Sequence, residues 1–240
     1  METARFESMN ERQELILKAL VEEYIRTAEP VSSKILVEHY DLDVSSATVR
    51  NDLAELEAAG FIRQPHTSAG RVPTEGGYQE YLRKLAPQKV NSDRTTSRKL
   101  REAITDSPDP EETMRALTKE LVRLSGDMAI AAFGPDRSFF TGMGTLMAKP
   151  DFQDLDVVRS MSQMLDRFDE VVEGVFAQLA EEPQVMLGHD NPFGKDTAAV
   201  VVKFRLPNGR IGLLGLVGPM RMDYPKNLSL IEEVIDILKE

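Results

Sequence analysis

The chain has 240 residues, 29 Lys+Arg against 40 Asp+Glu, and a formal net charge of −11. That length suits one large domain or two small ones, its ordinary hydrophobic and charged fractions exclude a wholly disordered chain, and the lack of cysteine excludes disulfides, thiolate metal sites and cysteine nucleophiles. The start METARFESMNERQ has no apolar signal-like core and no run of 18 apolar residues follows it, so a cytoplasmic protein with no membrane partner is expected.

In chain order, Arg12 to Tyr24 carries Leu15, Ile16, Ala19 and Leu20 at helical spacing, with Asn10 as its expected cap. After Pro30, Val31-Ser32-Ser33 opens a second helix that closes at His39-Tyr40. A short connection leads to Ser45-Ser46, whose hydroxyls can cap a third helix, SSATVRNDLAELEAAG, stopped by Gly60. Phe61 to Pro73 reads as a small hairpin with a polar tip, and Thr74 can cap a fourth helix that Pro87 ends. Residues 88–97 (QKVNSDRTTS) form the most linker-like stretch, which divides the chain into 1–87, a linker 88–97, and 98–240.

Beyond it, LREAI and, after a Ser107-Pro108-Asp109-Pro110 break, EETMRALTKELVRLSG read as helices, and Met128 to Phe133 as a buried strand. Asp154 to Leu179 has the period of one long helix. Gln184 to Leu187 reads as a short strand, while Ala198 to Leu206 and Ile211 to Val217, joined by Pro207-Asn208-Gly209, form a hairpin. A helix over Lys226 to Leu238 closes an α+β domain with an antiparallel sheet.

Net charge is −5 over residues 1–88 and −6 over the rest, so neither half can coat nucleic acid by charge alone. A local patch is required. Two helices, a tight turn and a hairpin make a winged helix-turn-helix, whose later helix enters the major groove. At 100° per residue, Val49, Leu53 and Leu56 share one stripe of the third helix, while Ala47, Arg50, Asn51 and Ala54 lie toward the other side. Arg50 suits guanine O6 and N7 or a phosphate, Asn51 suits adenine, and Ser46 or Thr48 suits phosphate. The hairpin supplies Arg63, His66, Thr67, Ser68 and Arg71, with no acid from Phe61 to Thr74. The plainer alternatives are a solvated helix face and a soluble loop.

Outside this region, Arg221 and Asp223 in GPMRMDY either line a ligand pocket or partner surface, or are structural, with Asp223 capping the last helix and pairing with Arg221. Gly142-x-Gly144 reads as a turn, since no phosphate-binding glycine motif surrounds it. The three histidines have no paired spacing, no cofactor or metal is implied, and no nucleophile motif supports an enzyme. The methionines are expected to fill the second core.

The runs NERQELILKALVEEYIRTAEPVSSKIL, SSATVRNDLAELEAAGFI and HTSAGRVPTEGGYQEYL, then TGMGTLMAKPDFQDL and IGLLGLVGPMRMDYPKNLSLIEEVIDIL, resemble the HrcA family of heat-inducible transcription repressors. The resemblance implies a winged helix followed by a GAF-like domain, and a homodimer on an inverted-repeat DNA operator (CIRCE) upstream of chaperone genes. It also implies control by a GroEL-type chaperonin. By matched position it assigns DNA contact to Ser46, Thr48, Arg50, Asn51, His66, Thr67, Ser68 and Arg71. Family members carry an inserted dimerising domain where Pro135 is here followed almost at once by Phe139, so the chain resembles a shortened form. The stripe Met114 to Leu124 is either a substitute dimer surface or, as its composition favours, part of the core. A regulator that senses a small molecule in its GAF-like domain is the alternative function.

Overall fold

The computed structural model describes residues 9–66, 69–85, 94–104, 109–134, 137–205, 209 and 211–239. Chain contacts divide it into two compact units, Met1–Pro87 and Gln88–Glu240.

The first unit begins with α1 (Glu11–Thr27), and its start is set by a reciprocal cap: the Asn10 side chain accepts from the Gln13 N–H while the Gln13 side chain accepts from the Asn10 N–H. Next come α2 (Ser33–His39), capped by Ser32, and α3 (Ser46–Ala58), capped by Ser45. Gly60, at φ +85°, turns the chain out of α3. The hairpin is short, with β1 (Ile62–Arg63) antiparallel to β2 (Val72–Pro73). Val31 extends it by exchanging two 2.8 Å backbone hydrogen bonds with Arg71. Gly70 permits that approach, because a Cβ there would collide with the Val31 carbonyl. Helix α4 (Glu75–Lys84) starts at Thr74, whose hydroxyl also donates to the Gly60 and Phe61 carbonyls. The core gathers Ile16, Leu20, Leu36, Val49, Leu53, Leu56, Phe61 and Tyr78, each at most 3% exposed.

The second unit opens with α5 (Arg94–Ala103). The expected linker over 88–97 is therefore corrected at its last four residues, which form the first turn of a helix, while 88–93 lie outside the described residues. Helix α6 (Pro110–Ser125) follows, with Asp109 capping it, proline at its first position and Gly126 at its end. Of the break expected at Ser107-Pro108-Asp109-Pro110, the first two residues lie outside the described residues, and the last two are corrected to the cap and first position of this helix. The strands are β3 (Met128–Ala132), β4 (Ser138–Thr141), β5 (Gln184–Leu187), β6 (Thr197–Arg205) and β7 (Ile211–Pro219). They form one antiparallel sheet in the order β4-β3-β7-β6-β5. Of the turn expected at Pro207-Asn208-Gly209, only Gly209 is described, at φ +78°.

Both faces of the sheet are covered, which is why β6 and β7 read as apolar runs and not as alternations. On one face, Met128, Ile130, Val201, Leu213 and Val217 pack against Met161, Met164, Phe168, Val172 and Phe193. Helices α6 and α10 (Tyr224–Lys239) pack on β3 and β6, and there Met114, Leu117 and Leu121 are 0–1% exposed with Leu124 half-buried, so that stripe belongs to the core. Between β4 and β5 run α7 (Met143–Met147), a 3-10 turn (Pro150–Phe152), α8 (Leu155–Asp166) and α9 (Phe168–Gln178). The single long helix expected over Asp154 to Leu179 is thus two, parted at Arg167, whose backbone leaves helical geometry at φ −118°, ψ 26°. The whole is an α+β fold: a winged helix-turn-helix followed by a GAF-like unit with a five-stranded antiparallel sheet.

Candidate nucleic-acid interface

Helix α3 is the element around which the first unit arranges its charges. Val49, Leu53 and Leu56 are at most 1% exposed, while Ala47, Arg50, Asn51 and Ala54 face solvent, as the helical period predicts. The three acids of α3 are each tied back. Asp52, buried, accepts from Arg12 Nε at 2.8 Å and Nη2 at 3.0 Å. Glu55 accepts from Gln13 Nε2 at 2.6 Å, and Glu57 accepts from the Gln64 N–H at 2.8 Å and from Arg71 Nη2 at 3.1 Å. Arg50 and Asn51 have no ion pair or side-chain hydrogen bond among the described residues. Their donors are therefore available to an outside partner.

The hydroxyls divide differently. Ser46 Oγ lies 3.0 Å from Ser33 Oγ, joining α2 to α3, whereas Thr48 Oγ1 pairs at 3.0 Å with the capping Ser45 hydroxyl. Thr48 thus sits beside the helix N-terminus, where amide N–H groups and the helix dipole favour an anion. Ser46 has a structural duty first.

In the hairpin, Arg63 and His66 are exposed. Thr67 and Ser68 lie outside the described residues. Arg71 is only 21% exposed at its side chain and is engaged with Glu57, so it braces the hairpin against α3 and offers less of its guanidinium outward than Arg63 does. The contributions of Arg12, Gln13 and Glu57 escape a reading by spacing, because their partners lie 7 to 42 positions away.

One further charged group is buried between α1 and α2. Glu23 of α1, 3% exposed, accepts from Arg26 at 2.6 Å and lies 3.2 Å from His39 Nδ1 of α2. Burial pushes its pKa upward, yet the hydrogen bonds and charges of Arg26 and then His39 outweigh burial and hold it below its ordinary 4.5.

In the second unit, Asp223 accepts from the Lys226 N–H at the start of α10, as expected of a cap. Arg221 does not pair with it. Its guanidinium grips Asp151 with bonds of 2.9 and 2.7 Å, and the expected Arg221–Asp223 pair is corrected accordingly: Asp151 receives Arg221 in a fork that a residue two positions away does not offer. Asp127, 1% exposed, accepts from Lys149 and, at 2.7 Å, from Asn227. Gly142 precedes α7, and His189 lies in a 3-10 turn, Gly188–Asp190. Among the described residues, no group of three or more histidine and acidic side chains could hold a metal ion, and no helix is long and apolar enough to cross a membrane.

Comparison with known proteins places these units. Residues 12–74 match the DeoR-like helix-turn-helix domain, and residues 84–228 match the HrcA protein C terminal domain. The heat-inducible transcription repressor HrcA of Synechococcus elongatus is 46% identical over 123 residues, covering 51% of this chain and 35% of that protein, so the chain spans about a third of this relative's length. The heat-inducible transcription repressor HrcA of Symbiobacterium thermophilum is 24% identical over 339 positions, covering 97% of this chain and 98% of the relative. About a hundred positions of that alignment have no counterpart in a chain of 240 residues. A crystal structure at 2.2 Å resolution, titled as that of a hypothetical protein, shares the fold with a TM-score of 0.80 at 20% identity, over 96% of this chain and 98% of that one. With the matched C-terminal domain covering more than half of its length, the chain belongs to the HrcA family.

Proposed function

We propose that the chain is a DNA-binding transcription repressor of heat-shock genes that reads an inverted-repeat operator through α3, with the wing on the adjoining backbone. The observation that carries this is the exposed face of α3. Its acids are bonded elsewhere, and Arg50 and Asn51, the two side chains on it that can pair bidentately with base edges, stand exposed. Thr48 at the helix N-terminus, with Arg63, His66, Thr67 and Ser68 in the wing, is assigned to phosphate, and Ser46 and Arg71 act first as braces. Family membership and the printed names of the relatives support repression in response to heat.

An inverted repeat is engaged by two recognition helices about 34 Å apart, so the working species is a homodimer. Control by a GroEL-type chaperonin rests on the family resemblance, and addition of the chaperonin to the binding reaction tests it. Both roles place the protein in the bacterial cytoplasm. Sensing of a small molecule ranks second, because the sheet face that packs on Met161, Met164, Phe168, Val172 and Phe193 is filled by these side chains, each at most 6% exposed.

The test is a gel-shift titration on the inverted repeat and on a single half-site, with the mass of each complex determined. Tight binding of two subunits to the repeat is expected. Equal, weak binding to repeat and half-site would contradict the reading.

A further inference from the structure

Helix α5 is the most cationic element in an acidic chain. Between Asp93 and Glu102 stand Arg94, Arg98, Lys99 and Arg101, and no acid. The period of the helix sorts them: Leu100, 0% exposed, faces inward, with α5 packed on α6 and α10, while Arg94, Arg98 and Arg101 share a stripe on the opposite side and are exposed. Their Cα atoms rise along the axis by about 6 Å and then about 4.5 Å, a spacing from which long side chains reach successive phosphates of one strand.

At its N-terminal end the stripe works against the helix that carries it, whereas Arg101 in the last turn suits the helix dipole. Arg94 and Arg98 are a like-charge pair at i,i+4, and the first turn, where acids stabilise a helix, contains none. Arg98 meets Glu102 at 3.5 Å with both side chains about two-thirds exposed, an ion pair too solvated to neutralise it. A local choice that opposes its own element marks a place where something outside the chain is served. Unlike the α3 face, where Asn51 stands beside Arg50, this stripe offers guanidinium groups alone, which suit phosphate oxygens.

We propose that the arginine stripe of α5 is a second DNA-binding surface, which holds duplex phosphates without regard to sequence. It rests on the reading that the chain binds DNA, but not on the identity of the operator.

The experiment uses the full chain, its Arg94→Gln/Arg98→Gln variant and the charge-preserving Arg94→Lys/Arg98→Lys variant. Binding to the inverted-repeat duplex and to a random duplex is followed by fluorescence anisotropy across a salt series. Each phosphate contact contributes about 0.9 to the slope of log affinity against log salt, so the glutamine variant should lose about 2 from the slope and, at 0.1 M salt, on the order of 60-fold in affinity. The loss should be equal on both duplexes, and the lysine variant should retain the slope. Unchanged slope and affinity in the glutamine variant would overturn the proposal; anionic phosphatidylglycerol vesicles are titrated in parallel, and weakening confined to them would overturn it as well. If the parent chain showed no preference for the repeat while the glutamine variant still weakened on random duplex, the operator reading would fail and the α5 surface would stand.

Discussion

The two units dispose of their charges in opposite ways. In the second unit, charged side chains are turned on one another inside the fold, Arg221 on Asp151 and Lys149 on Asp127, and a filled sheet separates the helices. In the first unit the acids of α3 are bound from behind by Arg12, Gln13 and Arg71, and the face left in front carries Arg50 and Asn51. An acidic protein can thus build a surface for DNA by withdrawing acids, with few added bases. The overall charge of −11 is no obstacle to a local field of the other sign.

If the second unit is a packed scaffold and the first a presenting surface, damage to them should read out differently. Phe193→Ala removes a 0% exposed ring from the sheet's core and should cost about 3–5 kcal/mol, seen as lost hydrogen-exchange protection of β6 and β7. Collapse of protection in α3 by a similar amount would merge the two regions into one cooperative unit. Asp127→Ala strands Lys149 and the Asn227 amide and should cost about 2–3 kcal/mol, measured by urea titration, whereas an unchanged midpoint would show the cluster to be solvated.

Within the first unit the effects are smaller. Thr74→Ala removes the cap of α4 together with the hydroxyl bonds to Gly60 and Phe61, and about 1 kcal/mol should be lost in thermal unfolding. Glu23 gives a pH dependence. Because its pKa in the folded chain is below the ordinary 4.5, its contribution is full above 4.5 and is lost as the pH falls through the folded value. Between neutral pH and acid, Glu23→Gln should therefore flatten the stability profile below about pH 4.5, as followed by circular dichroism.

Much of the first unit was legible because its signals are local. Asn10, Ser32, Ser45 and Thr74 cap helices within three residues, and the stripe Val49, Leu53, Leu56 fixes which side of α3 is exposed. What escaped is what depends on distant partners. Asp52 is paired with Arg12 across 40 positions, and Arg221 reads as the neighbour of Asp223 until the fold brings Asp151 from 70 positions away. The break at Arg167 is invisible for another reason: Met161, Met164, Phe168, Val172 and Val175 stay in phase across it, and periodicity reports the inward face without reporting continuity of the backbone. Strand β4 and α7 are only four and five residues long, too short to show a period.

The central claim is that α3 reads bases through Arg50 and Asn51. It is tested most directly by measuring the affinity of the full chain and of Arg50→Ala/Asn51→Ala for the inverted repeat and for the same duplex with each half-site base changed in turn. The account predicts that the parent chain discriminates by about 1–3 kcal/mol at the contacted bases, and that the variant, with unchanged thermal stability, loses discrimination there. A variant that weakens equally on every duplex, or that discriminates as the parent does, would contradict it.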